Sequence, residues 1–502
     1  MSTRSSWGPP RALVLGILLV AAAACAPKAS TPAPEAPHRT LTLEPCHLSS
    51  PVSAARESAQ CATLTVPEDR SNPDGRKIDL YIAVLPAVSR SPQPDPLFLL
   101  AGGPGQAATE AYLGLLPLLE DVNKNRDLVL VDQRGTGHSH NLDCFQDRKL
   151  DDLLEAGEEG ILELVKECRD HLDADLRFYT TPVAMQDLDD VREALGYQKI
   201  NIYGASYGTR AALTYLHQFP DRVRSVILDG VVPQDLALGG TVARDAQRAV
   251  DLIFQRCASE EACSKDFPDV AGQFQQLLAE LEHNPRQITV DHPLSGEPTT
   301  MKVTRQTLAG VVRLLSYTPE TAALLPLLIH QTRATGDFRH LAAQGLLLGT
   351  NLGETLSAGM AYSVQCAEDA PFLDSEQARA WGETSYLGDF AASLTEVCAL
   401  WPRGEVPADF KQPVTSDVPV LLLSGELDPV TPPQYGDQAA ATLSHSRHLI
   451  APGQGHNVLP RGCVPRIATH FIETADVTDL DTACVQELKP MPFFLNSAGP
   501  GA

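Results

Sequence analysis

The sequence has no basic run beyond its extreme N-terminus, no C-x-x-C pair, no internal repeat and no apolar stretch of bilayer length. Each absence removes a class of function. With 39 Lys and Arg against 63 Asp and Glu, the formal net charge is −24. Nucleic-acid phosphates need a basic surface, so nucleic acid is not an expected partner. A zinc site needs closely spaced Cys and His ligands, and the 11 cysteines supply neither a C-x-x-C pair nor a tight Cys/His quartet. No metal and no cofactor is expected. What is there is a chain of 502 residues, 43% hydrophobic and 20% charged. That is enough to bury a large core, and long enough for two or three domain-sized pieces.

At the N-terminus, Arg4 and Arg11 precede the apolar run "ALVLGILLVAAAA" (12–24), which stops at Cys25. A transmembrane helix needs about 20 apolar residues, so the run reads as an export signal covering residues 1–25. Small residues before a cysteine resemble the bacterial lipobox, in which the cysteine is lipidated and becomes the mature N-terminus. Ala22 stands where leucine is usual, and plain secretory cleavage within the alanines is the alternative. Residues 26–45 read as a Pro/Ala-rich tether too poor in apolar residues to pack. The expected location is the bacterial cell envelope, facing periplasm or exterior, with membrane contact only through lipid on Cys25. Setting Cys25 aside leaves ten cysteines, an even number that suits disulfides in an oxidising compartment. Pairing neighbours along the chain gives Cys46–Cys61, Cys144–Cys168, Cys257–Cys263, Cys366–Cys398 and Cys463–Cys484. The sequence leaves that connectivity open.

Short apolar runs alternate with longer helical stretches: "DLYIAVLPA", "PLFLLAGG", "DLVLVDQRG", "KINIYGAS", "SVILDGVVP", then "VPVLLLSGELD" and "SRHLIAPGQGH". Continuous Val/Ile/Leu runs ending in Gly or Asp read as buried, mostly parallel strands, and the intervening helices make the sheet doubly wound. The fold class is α/β, with ligand sites at the carboxyl ends of strands. From Leu236 to Gln412 the rhythm gives way to Leu/Ala-rich helical sequence. The predicted organisation is therefore a core in two parts, 46–235 and 413–490, a helical cap inserted at 236–412, and a flexible tail at 491–502.

One motif carries chemistry. In "KINIYGASYGTRAAL", Ser206 lies between Gly204 and Gly208, after an apolar run and before a helix-like one. A serine hydroxyl is a poor nucleophile at neutral pH and needs a base, an acid to orient that base, and donors for the oxyanion. Gly-x-Ser-x-Gly at a strand-to-helix turn exposes the serine and lets strand and helix approach where side chains would block them. The partners are expected in the order Ser, Asp/Glu, His, each at a strand end. Asp428 in "LLLSGELDPVTPP" and His456 in "LIAPGQGH" fit, with Asp229 in "VILDGVVP" a competing acid because it too ends a strand. The oxyanion donors are expected to be the backbone N–H groups of Tyr207 and of Gly103 in "LFLLAGGPGQ".

"AGGPG" (101–105), "VDQRGTGHS" (131–139), "YGASYGTR" (203–210), "SGELDPVTPP" and "GQGH" together resemble the prolyl aminopeptidase and tripeptidyl aminopeptidase family of α/β-hydrolases, over about residues 50 to 475. The resemblance implies an α/β-hydrolase fold and a serine exopeptidase with Ser206, Asp428 and His456 as triad. Ala101 departs from the family, where a histidine often begins the first motif. Arg134 in "DQRG" reads as a structural ion-pair residue.

An aminopeptidase must hold a free α-ammonium group, so a peptide with a free N-terminus is the expected partner. Cap acids Glu368 and Asp369, beside Cys366, are the candidates for that contact; a solvated surface pair is the competing reading. An envelope esterase or lactonase would share every catalytic residue and differ only in the cap. A non-catalytic binding protein would be expected to lack a triad member. The sequence does not address oligomeric state.

Overall fold

The computed structural model describes residues 40–144 and 150–500, apart from the side chains of 150–159. The signal-like segment, most of the tether and Cys25 lie outside the described residues. The described chain opens with three antiparallel strands, β1 (Glu44–Ser49), β2 (Arg56–Pro67) and β3 (Lys77–Leu85). The run continues with β4 (Leu97–Leu100), β5 (Leu128–Val131), β6 (Ile200–Ala205) and β7 (Val223–Asp229). Beyond a long insertion, which holds the hairpin strands β8 (Arg286–Asp291) and β9 (Pro298–Val303), come β10 (Val420–Gly425) and β11 (Ser446–Ala451). All nine form one sheet in the order β1-β2-β3-β5-β4-β6-β7-β10-β11, parallel from β5 onward.

Alternation explains why these strands read as unbroken apolar runs. Leu97 and Leu99 of β4 join one apolar layer, while Phe98 and Leu100 join the other. Leu128 and Leu130 of β5, against Val129 and Val131, divide the same way. A strand tolerates apolar residues at every position only when both faces are covered. On one face lie α1 (Thr181–Ala194), through Met185 and Leu188, and α2 (Tyr207–Gln218), through Ala211 and Tyr215.

The chain leaves β4 for its neighbour β5 on one side and returns to β6 on the other. The crevice between the carboxyl ends of β4 and β6 is thus the topological switch point, where such sheets bind ligands. Arg134, just past β5, is fully buried, and its guanidinium grips Asp187 of α1 at 2.6 and 2.8 Å.

Between β7 and β10 the chain is helical except for one hairpin. The helices include α3 (Val242–Ser259), α4 (Arg305–Leu315) and α5 (Ala358–Glu368). The hairpin pairs β8 (Arg286–Asp291) with β9 (Pro298–Val303); its alternating burial reflects the strand-like pattern of "PTTMKV". Phe254 of α3 and Leu308, Val312 and Leu315 of α4 pack in a core of their own. After β11, helix α6 (Val464–Thr474) returns to the sheet, laying Ile467 and Phe471 on the face opposite α1 and α2.

The two ends differ from expectation. The tail from 491 to 500 is not free: Phe493 is buried in the cap core beneath the Arg256 guanidinium, 3.8 Å from its ring centre, and the Phe494 amide donates to the Ala323 carbonyl at 3.1 Å. At the other end, the Thr40 amide donates to Ala194 at 2.8 Å and Leu41 and Leu43 pack against the sheet. Residues 40–45 therefore belong to the folded body, not to a tether. Both misreadings come from short segments whose anchors lie far away in sequence.

All ten cysteines outside the signal-like segment are joined, neighbour to neighbour: 46–61, 144–168, 257–263, 366–398 and 463–484. The 366–398 bridge ties the end of α5 to a later cap helix, Phe390–Leu400, across 32 residues. In the chain-entropy view a loop of that length is worth about 3 to 4 kcal/mol. Replacing Cys366 and Cys398 together by Ala should therefore lower the thermal midpoint measured by calorimetry, and a reductant should lower it further by opening the other four bridges.

Candidate active site

Ser206 alone makes the turn between β6 and α2, with φ 55° and ψ −124°. A non-glycine residue in that region is held under strain of about 1 to 3 kcal/mol and survives only where its surroundings fix it. The flanking glycines do so by close approach. A Cβ on Gly204 would stand 2.3 Å from the Gly208 carbonyl oxygen, and one on Gly208 would stand 2.1 Å from the Leu100 carbonyl oxygen at the end of β4. Neither distance is survivable, so only glycine lets β4, β6 and α2 meet. The Ser206 amide donates to the Asp229 carbonyl at 2.8 Å, and its own carbonyl accepts from the Thr209 amide and hydroxyl.

The loop after β4 lies against this turn, since a Cβ on Gly102 would come within 3.2 Å of the Ser206 Cβ. Gly103 follows with φ 105°, a value open to glycine. Among the described residues the amides of Gly103 and Tyr207 have no hydrogen-bond acceptor. Two N–H groups beside the serine, one of them in the first turn of a helix, are what a developing oxyanion requires. The cap closes on this loop through the Ser357 amide, which donates to Gly105 at 2.9 Å, and through Leu356 beside Gly103.

Asp428 and His456 are brought together across the ends of β10 and β11. The Nδ1 of His456 lies 2.8 Å from Asp428 Oδ2. The carboxylate also accepts from the amides of Val430 and Thr431, each at 2.8 Å, and from the Thr431 hydroxyl at 2.7 Å. Burial opposes the charge on Asp428, but the adjacent His456 and the Thr431 donors outweigh it and hold the carboxyl below its usual range. Burial likewise disfavours the His456 cation, and Asp428 overrides it, raising the imidazole above its ordinary value of 6.5. The Nε2 of His456 is thereby left to act as a base.

Asp229 does not compete for that histidine. Its carboxylate is spent on the amides of Val458 and Leu459, both at 2.8 Å, and on the Tyr203 hydroxyl at 2.9 Å. It anchors the loop that carries His456. On the cap side the His456 amide donates to the Tyr317 carbonyl at 2.7 Å, and the Tyr317 ring meets the imidazole edge-on with centroids 5.6 Å apart. Thr431 and Tyr317 were not foreseen. Thr431, three residues after Asp428, could have been found as the natural partner of an Asx turn; Tyr317, in a helical stretch without a motif, gives no signal.

The expectation for Glu368 and Asp369 is corrected. Both are fully buried, neither on a solvated surface nor open to a ligand. Glu368 accepts from the Thr181 amide and hydroxyl, and that hydroxyl also meets the Tyr207 phenol. Asp369 pairs with the Arg210 guanidinium at 2.8 Å and the Lys411 ammonium at 3.2 Å, and accepts the Leu238 amide. Burial pushes the Glu368 carboxyl up to about 7 and the Lys411 ammonium down to about 8. These acids lock the cap to α1 and α2.

A strained serine at the switch point, unpartnered amides beside it and a buried Asp–His pair two strands away define a serine hydrolase of the α/β-hydrolase fold. The chain belongs to that family, whose description as the alpha/beta hydrolase fold matches residues 95–462. It is similar to serine protease Hip1 of Mycobacterium tuberculosis, 26% identical over 471 residues that cover 85% of this chain and 88% of that one. Tripeptidyl aminopeptidase of Streptomyces lividans is 32% identical over 189 residues, 34% of this chain and 35% of that one. Carboxylesterase B of Mycobacterium tuberculosis is 27% identical over 450 residues, 82% and 84% of the two chains.

The two buried acids should separate cleanly on mutation. Asp428→Asn should cost about 10⁴-fold in kcat through the wrong histidine tautomer while leaving the thermal midpoint nearly intact. Asp229→Asn should instead lower stability by about 1 to 3 kcal/mol, because an amide group would face the Val458 or Leu459 N–H. The pH dependence follows from His456, which must be neutral to act. In the wild type the rate should rise with pH through a midpoint above 6.5. In Asp428→Asn the residual activity should show that midpoint displaced downward, since burial and the Arg313 charge then oppose the cation with only the smaller pull of Asp229 favouring it.

Proposed function

We propose that the chain is an exported serine aminopeptidase that releases N-terminal residues or short peptides through an acyl-enzyme. What supports this reading is the strained Ser206 turn together with the Asp428–His456 pair, the serine turn and the histidine loop both being bonded to Asp229. Ser206 Oγ gives its proton to His456 Nε2 and attacks the scissile carbonyl. The oxyanion forms against the amides of Gly103 and Tyr207. The imidazolium, oriented and stabilised by Asp428, then protonates the departing amine, and water repeats the sequence to free the acyl group. Peptide as substrate is supported by likeness to a serine protease along most of both chains. Removal from the N-terminus is supported by the shorter match to a tripeptidyl aminopeptidase.

Export is supported by five disulfides, which persist in oxidising compartments, and by the apolar run that ends at Cys25. Lipid on that cysteine would hold the enzyme at the envelope. A second reading, an envelope esterase, is favoured by the likeness to a carboxylesterase over a similar span.

One assay separates these readings. Free-amine prolyl, alanyl and tripeptidyl p-nitroanilides should be cleaved, their N-blocked forms at least about tenfold more slowly, the direction expected when a substrate charge loses its partner. Equal cleavage of free and blocked forms would mark an endopeptidase, and turnover of p-nitrophenyl acetate alone an esterase. Ser206→Ala should abolish every activity and phosphonate labelling with the protein still folded.

A further inference from the structure

One cap helix is bonded toward both of the amides assigned to the oxyanion. Just before α5 (Ala358–Glu368), the Ser357 amide donates to the Gly105 carbonyl at 2.9 Å, and a Cβ on Gly103 would stand 2.9 Å from the Leu356 side chain. At the other end of α5, Glu368 accepts from the Thr181 amide at 2.5 Å and from the Thr181 hydroxyl at 2.8 Å. That hydroxyl lies 2.6 Å from the Tyr207 phenol. The 11 residues of the helix span about 16 Å. Its first turn is seated on the core, where the Gly359 amide donates to the Leu142 carbonyl at 2.8 Å and a Cβ on Gly359 would stand 2.5 Å from that oxygen. Two residues before Glu368, the Cys366–Cys398 bridge ties the far end to the helix Phe390–Leu400.

The chain of bonds at the far end has a direction. A carboxylate can only accept, so Glu368 takes the Thr181 hydroxyl proton and leaves that oxygen to accept from the phenol. Burial and the Glu368 charge raise the Tyr207 phenol above its ordinary value, so it keeps its proton and donates. Tyr207, Thr181 and Glu368 are all buried, and a water-free chain ending on a charge is stronger than its neutral equivalent. Tyr207 is the first residue of α2, so its ring and its amide hang from one Cα. Holding the phenol therefore fixes where the amide points. A misplacement of about 1 Å in a group that must meet the reacting atoms can cost about 10²-fold in rate.

Resting on the serine-hydrolase reading with Gly103 and Tyr207 as donors, we propose that α5 is the strut that sets the spacing of the two oxyanion amides. Glu368 and Thr181 are positioning residues for the Tyr207 amide. Neither touches the reacting atoms, so their effect falls on the step in which charge develops and not on the binding of uncharged substrate.

The test uses the full chain and whichever of the p-nitroanilides and p-nitrophenyl acetate it hydrolyses. Thr181→Val keeps the side-chain volume and the residue-181 amide bonded to Glu368 but removes the hydroxyl. Tyr207→Phe removes the phenol oxygen and keeps the ring and the amide. In each, kcat should fall about tenfold or more, toward the 10²–10³ lost when an oxyanion donor is removed outright, with KM within about twofold of wild type. The double variant should be no slower than the slower single one, because both cut the same chain. Thr181→Ser, which keeps the hydroxyl, should retain most of the rate. Inhibition by phenylboronic acid, whose serine adduct sets an anionic oxygen against the same amides, should weaken by a similar factor. The proposal is overturned by an unchanged kcat in either folded variant, by a loss confined to KM, by losses that multiply in the double variant, or by Thr181→Ser no faster than Thr181→Val. Each of those results leaves a wild type that hydrolyses and is silenced by Ser206→Ala, so the hydrolase reading survives them. A wild type that turns over none of these substrates removes that reading and the proposal with it.

Discussion

The site depends on one buried residue that belongs to neither the nucleophile nor the base. Asp229, at the end of β7, takes the Ser206 amide on its main-chain carbonyl and the Val458 and Leu459 amides on its carboxylate. The serine turn and the histidine loop are therefore both measured from one strand end. Burial raises the Asp229 pKa, and the two amides with the Tyr203 hydroxyl counter only part of that effect. The next residue must be glycine, since a Cβ on Gly230 would press on His456 Cε1 from 3.0 Å.

The cap is bonded into this arrangement. Ser357 reaches the oxyanion loop, Tyr317 holds the His456 amide, and Glu368 and Asp369 are enclosed with Thr181, Arg210 and Lys411 beneath the nucleophile helix. Two carboxylates and two cations enclosed together lose much of their hydration, which their mutual attraction roughly offsets, and removing any one would strand its partner. The histidine and the oxyanion loop thus each touch a group that the inserted segment supplies.

What was legible in the sequence was what short segments encode by themselves. The apolar runs around β4 to β7 and β10 announce strands covered on both faces, and Gly204-x-Ser206-x-Gly208 announces a turn that only glycine can flank. Asp428 and His456 each stand just past such a run. The acids at 368 and 369 were misread because their partners, Thr181 and Arg210, lie 187 and 159 residues away. An acidic pair beside a cysteine looks the same whether it faces solvent, a substrate or an arginine. The tail was misread for a related reason: Phe493 is one aromatic residue in a polar end, and only the folded cap supplies Arg256 above it.

The position of the insertion also sets an order in time. Ser206 is encoded ahead of the cap, whereas Asp428 and His456 follow it. Chains emerge from the ribosome amino end first. For most of that passage the serine is present without a base, and the oxyanion loop without the helices that close on it. The site is thus latent by construction: its parts meet only when the segment that carries His456 arrives and docks against Asp229.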